Sequence, residues 1–276
     1  MFLDNFNYSV IGSDSSEKIV FLHGLMAFAA NFRKIASRLQ DDFQCLIYDQ
    51  RGHGRSFKPE SGYSPEDFAE DLNKITDELG WKQFHLVGHS MGGRNAMVFA
   101  NLYPDKVKTL TIEDMGPDSD PVNYLYYQNM LAAIPTPFAS KADSKEFFES
   151  QFALAFQAQE PAILGLFLQS NLEEKPDGRY DWRFSKQAII DCVKEGHTKD
   201  RWPEVKSFKM PVLLIRGETS HVLNKATFEK MLQANSNISG LEIPGTGHWI
   251  HYEKYEEFTT ALRSFIKQNS IKLHNA

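Results

Sequence analysis

The chain has 276 residues, 42% of them hydrophobic, with 30 Lys and Arg against 36 Asp and Glu and a formal net charge of −6. That length suits one α/β domain with an insertion or two small domains. The charge argues against nucleic acid or an anionic membrane surface as partner. No apolar stretch reaches transmembrane length, and residues 1–16 lack the basic and apolar regions of a secretory signal, while Cys45 and Cys192 lie far apart and read as thiols rather than a disulfide, so a cytoplasmic location is expected.

Strand-like apolar runs alternate with amphipathic segments. Ile19 to Leu22 reads as a strand, Asn31 to Leu39 as a helix and Phe43 to Tyr48 as a second strand. Ser64-Pro65-Glu66-Asp67 is a helix start, with Ser64 as N-cap and Pro65 in the first turn, and the helix stops at Gly80. Phe84 to Val87 and Val107 to Ile112 are further strands, with a helix from Arg94 to Leu102 between them. Val212 to Ile215 and Leu241 to Ile243 are later strands, followed by helices at Lys225 to Ala234 and Glu253 to Lys267 respectively. Short apolar strands alternating with helices predict a mostly parallel, doubly wound sheet.

Asp118 to Phe208 breaks this rhythm. It shows no convincing strand but four helix-like pieces (Tyr124 to Ala133, Ser144 to Gln157, Pro161 to Ser170, Ser185 to Cys192) and a polar turn from Glu173 to Gly178. It reads as a helical cap, residues 118–208, inserted into a core formed by residues 1–117 and 209–276.

Gly88-His89-Ser90-Met91-Gly92-Gly93 stands between a predicted strand and a predicted helix. A Gly-x-Ser-x-Gly in that context is a nucleophile elbow: small residues let a sharp turn close and lift the serine hydroxyl out of the sheet. The backbone N–H of Met91, at the helix N-terminus, then faces any anion formed beside Ser90. A dinucleotide-binding loop would need Gly-x-Gly-x-x-Gly, which is absent here. Phe21-Leu22-His23-Gly24-Leu25 ends the first core strand, and Leu25 is the natural second oxyanion donor through its backbone. Asp49-x-Arg51-Gly52-His53-Gly54-x-Ser56 suits a tight structural loop.

A serine hydroxyl needs a general base. Of nine His, His248 in Gly245-Thr246-Gly247-His248-Trp249 follows the last strand, where the base of a Ser…acid…His order belongs. His251 is its competitor. His85 reads as a core or sheet-face residue and His89 as pointing away from the turn. His53 reads as structural, and His197 and His221 as cap or surface. No metal-ligand spacing is present, and no metal or cofactor is expected. His23, Phe152, Phe156, Phe167, Trp182 and Trp249 are candidates for an apolar substrate pocket.

On these stretches, with Asp114-Met115-x-Pro117, Trp182-Arg183-Phe184, Arg216-Gly217-Glu218-Thr219-Ser220 and Gly247-His248-Trp249-Ile250-His251, the chain resembles the α/β-hydrolase superfamily over almost its whole length. Within it, the chain is similar to the YbfF-type bacterial esterases and their mitochondrial relatives. It departs from that subgroup at Arg94, where Lys is usual, and at Tyr255, where Pro commonly follows. The resemblance implies an α/β-hydrolase fold with a helical cap and hydrolysis of short- to medium-chain carboxylic esters or acyl thioesters through an acyl-serine. Most of the superfamily places the triad acid in a Gly-x-x-Asp after the strand Val212 to Ile215, but here Ser220 occupies that position. An acid at the end of the strand beside the nucleophile strand can reach the same imidazole, and the YbfF resemblance points there too. Asp114 lies at that strand end, while Glu113 should alternate to the other face. The expected site is thus Ser90, His248 and Asp114, with Leu25 and Met91 as oxyanion donors. Two rival readings are a carbon–carbon lyase or hydrolase on this scaffold, which would need Arg179, Arg183 and Arg201 to converge on the pocket, and a non-enzymatic small-molecule receptor.

Overall fold

The computed structural model describes residues 1–14, 17–156 and 161–274. Nine strands are found among them: β1 (Tyr8–Ile11), β2 (Lys18–Leu22), β3 (Gln44–Tyr48), β4 (Phe84–His89), β5 (Val107–Glu113), β6 (Leu172–Glu174), β7 (Tyr180–Trp182), β8 (Val212–Gly217) and β9 (Ile238–Ile243). Seven form one sheet in the order β1-β3-β2-β4-β5-β8-β9. Only β1 runs antiparallel, so the sheet is a doubly wound, mostly parallel one with an antiparallel edge. The central strands are buried from end to end, as expected of strands covered on both faces.

Helices α1 (Arg33–Leu39), α2 (Pro65–Glu78) and α3 (Met91–Leu102) follow the first strands. The start of α2 is a capping box: Ser64 Oγ accepts from the Asp67 N–H, and the Asp67 carboxylate accepts from the Ser64 N–H. One apolar layer, including Leu72, Leu86, Phe99 and Leu214, packs α2 and α3 against one face of the sheet. A second, including Phe21, Phe32, Ile35 and Phe258, packs the other.

Between β5 and β8 the chain leaves the sheet. It forms α4 (Tyr124–Ala133), α5 (Lys141–Glu146), a π-helical turn at Phe147–Gln151, α6 (Phe152–Ala155), α7 (Pro161–Ser170), the β6–β7 hairpin, α8 (Lys186–Gly196) and α9 (Trp202–Ser207). The expectation of no strand in this stretch is corrected. β6 and β7 flank the polar turn at Glu173–Gly178 and are three residues each, too short for an alternating pattern. The helix read over Ser144 to Gln157 begins earlier and is broken by the π turn; Gln157 lies outside the described residues. These elements build a third apolar cluster, with Phe138, Phe147, Phe152 and the stacked pair Trp182 and Phe184, whose centroids are 4.8 Å apart, and it reaches Met26 of the core. After β8 come α10 (Lys225–Ala234), α11 (Ile250–Glu253) and α12 (Tyr255–His274). None of the described helices is long and apolar enough to cross a membrane.

An ion pair between a buried guanidinium and a partly exposed carboxylate ties this helical segment to the core. Arg201 is 1% exposed and its guanidinium meets Glu66 of α2 at 2.7 and 3.1 Å and Glu204 at 3.0 Å. The hydrogen bonds from Arg201 hold the Glu66 carboxyl down at about 2, against its ordinary 4.5. A depressed carboxyl contributes stability that is present above its unfolded value and is lost as pH falls through its folded one. Glu66→Gln is therefore expected to lower the unfolding midpoint at pH 7. The gap to wild type should close between about pH 4.5 and 2. Thermal unfolding of both proteins across that range checks it, and a gap independent of pH would contradict the assignment.

Candidate active site

The turn after β4 carries Ser90 at φ 54°, ψ −121°, in a region L-residues seldom occupy. Neighbouring backbone makes the strain possible. A Cβ on Gly88 would overlap the Gly92 carbonyl, and one on Gly92 would overlap the Leu22 carbonyl. The elbow closes only because both positions are glycine. The Ser90 N–H donates to the Glu113 carbonyl at 3.0 Å, tying the turn to β5. Ser90 faces a cavity of about 870 Å³ that is also lined by Leu25, Met91 and His248.

Asp114 follows β5, fully buried, and is likewise at positive φ (50°). Such conformations persist where the surroundings over-determine them, and they cluster at functional sites. Three donors converge on its carboxylate. His248 Nδ1 lies 2.7 Å from Oδ2, the Gly217 N–H lies 3.2 Å from Oδ1, and Ser220 Oγ donates to Oδ2. A carboxylate accepts only, so the His248 proton sits on Nδ1 and Nε2 is left as an acceptor. Ser220, at the position where an acid is customary, thus donates to Asp114 instead. Its oxygen also accepts from the Val222 N–H at 3.1 Å.

Glu113, one residue earlier, points to the other side of the strand. It takes the N–H and the Nδ1 of His251 at 2.8 and 2.9 Å. Glu218 accepts from the Gly245 N–H at 2.9 Å. Neither carboxylate is bonded to His248. His89 departs from expectation, because its ring does not turn away but packs 4.6 Å from His248. Its Nε2 donates to the His248 carbonyl at 2.9 Å. Burial, with His248 and His251 nearby, pushes its pKa well down and keeps it neutral. The signal for that role was its place between Gly88 and Ser90, which puts it on the same turn as the nucleophile candidate.

His89, Glu113 and His251 bring three potential metal-ligand atoms within 4.8 Å of one another. Glu113 is taken up by the His251 N–H and Nδ1, and His89 Nε2 by the His248 carbonyl, so hydrogen bonds hold these groups in place. His53 is buried, with its pKa pushed down to about 3, and Nδ1 donates to the Arg51 carbonyl at 2.9 Å. Its loop is pinned by Asp49, which accepts from the N–H groups of Ala29 and Arg55, and by the Arg51–Asp71 pair. His85 is a buried sheet residue bonded to Thr109 and Glu17.

Of the pocket candidates, Phe167 and Trp249 line the cavity and pack on each other. His23 borders it but is 1% exposed, with both ring nitrogens used. Nδ1 donates to the Gly24 carbonyl and Nε2 accepts the Gln50 N–H, so the ring fixes the loop carrying Leu25. Phe152, Phe156 and Trp182 do not line the cavity. They belong to the apolar cluster of the helical segment, which also takes in Leu25, Phe167 and Trp249, so they stand behind the cavity lining rather than in it. In their place the segment contributes Tyr126, Tyr127, Met130, Leu164 and His197. Tyr126 to Met130 lie on α4, a helix whose sequence reads as apolar without marking which face is turned to the site.

A 2-(acetamidomethylene)succinate hydrolase from Mesorhizobium japonicum is 29% identical over 91% of this chain and 88% of its own length. The esterase YbfF of Escherichia coli is 26% identical over 91% of this chain and 94% of its own. Among solved structures, a marine microorganism esterase superposes with a TM-score of 0.79 at 30% identity, covering 94% of this chain and 98% of its own. Residues 18–255 match the family described as the alpha/beta hydrolase fold, and with its elbow, sheet and inserted helices this chain belongs to that family.

Proposed function

We propose that this hydrolase is a serine esterase, cleaving short- to medium-chain carboxylic esters or acyl thioesters through an acyl-serine. The observation that carries the reading is the His248–Asp114 hydrogen bond at 2.7 Å, with Ser90 on its elbow facing the same cavity. Ser90 Oγ attacks the acyl carbon. His248 Nε2 takes its proton and returns it to the leaving oxygen or sulfur. Water then repeats the sequence to release the acid. Backbone N–H groups of Leu25 and Met91 hold the oxyanion, each donor worth roughly 3 kcal/mol by analogy with other serine hydrolases. Residues 118–208 act as the cap and residues 1–117 with 209–276 as the core. The protein needs no cofactor, and its partner is a small molecule rather than nucleic acid or a membrane.

The cap arginines do not support the lyase reading. Arg179 pairs with Asp177, Arg183 with Glu173 and Arg201 with Glu66 and Glu204, so the three do not converge on the cavity. Turnover decides between esterase and receptor. p-Nitrophenyl acetate and butyrate should be hydrolysed, with rates falling from octanoate to palmitate. His248→Ala should lose nearly all of that activity. A protein that binds these esters without turning them over is a receptor. Rates that rise to palmitate with interfacial activation mark a lipase.

A further inference from the structure

Among the residues lining the cavity, Arg94 is a cation without a matching anion. Its side chain is 3% exposed. Nη2 donates to the carbonyls of Gly116 at 3.3 Å and Asp118 at 2.5 Å, while Nε and Nη1 are buried with no hydrogen-bond partner. The nearby carboxylates are engaged elsewhere. Asp118 accepts from Trp202 Nε1 and Thr227 Oγ1, Asp120 from the Val122 N–H, Asp200 from the Ser119 N–H and Glu204 from Arg201. Burial and the neighbouring Arg201 lower the guanidinium pKa to about 10, so it stays charged at neutral pH. Buried donors left unpaired carry a large desolvation cost, and a ligand's anionic group in the cavity would relieve it.

A second donor borders the same cavity. His197 Nδ1 accepts the Asp120 N–H at 3.0 Å, and burial, with the Arg94 charge, lowers its pKa to about 4. The neutral ring therefore carries its proton on Nε2. Arg94 is also close to the chemistry. It lies one helical turn beyond Ser90, its N–H bonded to the Ser90 carbonyl at 3.1 Å.

We infer that Arg94, assisted by His197, binds a carboxylate borne by the substrate, so that the enzyme selects esters of short acids carrying a second, anionic group. The inference rests on the esterase reading. A guanidinium with unpaired donors suits a carboxylate, which Nη1 can meet through a charge-assisted hydrogen bond.

The test compares matched esters. Mono-p-nitrophenyl glutarate against p-nitrophenyl butyrate places the carboxylate on the acyl side. 4-Butyryloxybenzoate against phenyl butyrate places it on the leaving group. In wild type at least one pair should favour the anion in kcat/KM by about tenfold to a hundredfold, the range of a charge-assisted hydrogen bond. Arg94→Met should abolish that ratio, and Arg94→Lys should retain part of it. If Arg94→Met does not fold, Arg94→Lys and competitive inhibition of wild type by glutarate, but not glutaramide, decide the matter. Wild type without preference in either pair, or a preference that survives Arg94→Met, overturns the proposal. Hydrolysis of p-nitrophenyl butyrate and labelling of Ser90 by a phosphonate report the esterase reading separately.

Discussion

Ser90→Ala is expected to abolish ester hydrolysis while leaving the unfolding midpoint within a degree or two of wild type. The hydroxyl faces a cavity and makes no hydrogen bond that caps α3, so its removal costs the core little. Catalytically nothing replaces it, because the acyl-enzyme requires an oxygen at that point of the turn. Triads act as a unit, and losing the nucleophile costs as much as losing the whole set, about 10⁶-fold in a well-studied serine protease. The left-handed backbone at φ 54° is as costly for Ala as for Ser, so any change in stability stays small. A fluorophosphonate should label wild type at one site and leave Ser90→Ala unlabelled. Residual turnover near the wild-type rate would remove the acyl-serine from the mechanism.

The sheet and the elbow were legible because their constraints are local. Gly88 and Gly92 are forced by backbone approaching backbone, and a sequence displays such positions directly. The parallel strands are legible for a similar reason: buried on both faces, they read as unbroken apolar runs. The pocket was much less so. Phe152 and Phe167 are alike in sequence, yet one is fully buried in the helical segment's own core and the other lines the cavity. Hydrophobicity cannot separate these outcomes, since both remove the ring from water. The β6–β7 hairpin leaves no mark in the sequence because three-residue strands show no period. Arg94 stood out only as a departure from the resembling subgroup. Its importance comes from partners it lacks, which no one-dimensional pattern records.

Asp114→Asn is expected to lower kcat by roughly 10⁴-fold, the cost of the equivalent change in a serine protease triad. The geometry explains the size. Asp114 can only accept, so it fixes the His248 proton on Nδ1 and leaves Nε2 as the acceptor that the proposed mechanism requires. An amide can present its NH₂ group to Nδ1, which favours the opposite tautomer and puts the proton on the wrong nitrogen. It also removes the charge that stabilises the imidazolium. The comparison variants separate this role from its neighbours. Glu218→Gln should be nearly silent in kcat, because that carboxylate touches only the Gly245 N–H. Glu113→Gln disturbs the buried His251 contact, so its cost should fall mainly on stability. Ser220→Ala is the most discriminating. It deletes one of three donors to Asp114 while the 2.7 Å bond to His248 remains, and about tenfold in kcat is expected. Ser220→Asp, which restores an acid at the customary position, should not improve on wild type, since a second carboxylate beside buried Asp114 would repel it. If Glu218→Gln were inactive and Asp114→Asn active, the acid would lie after β8 and the triad drawn here would be wrong.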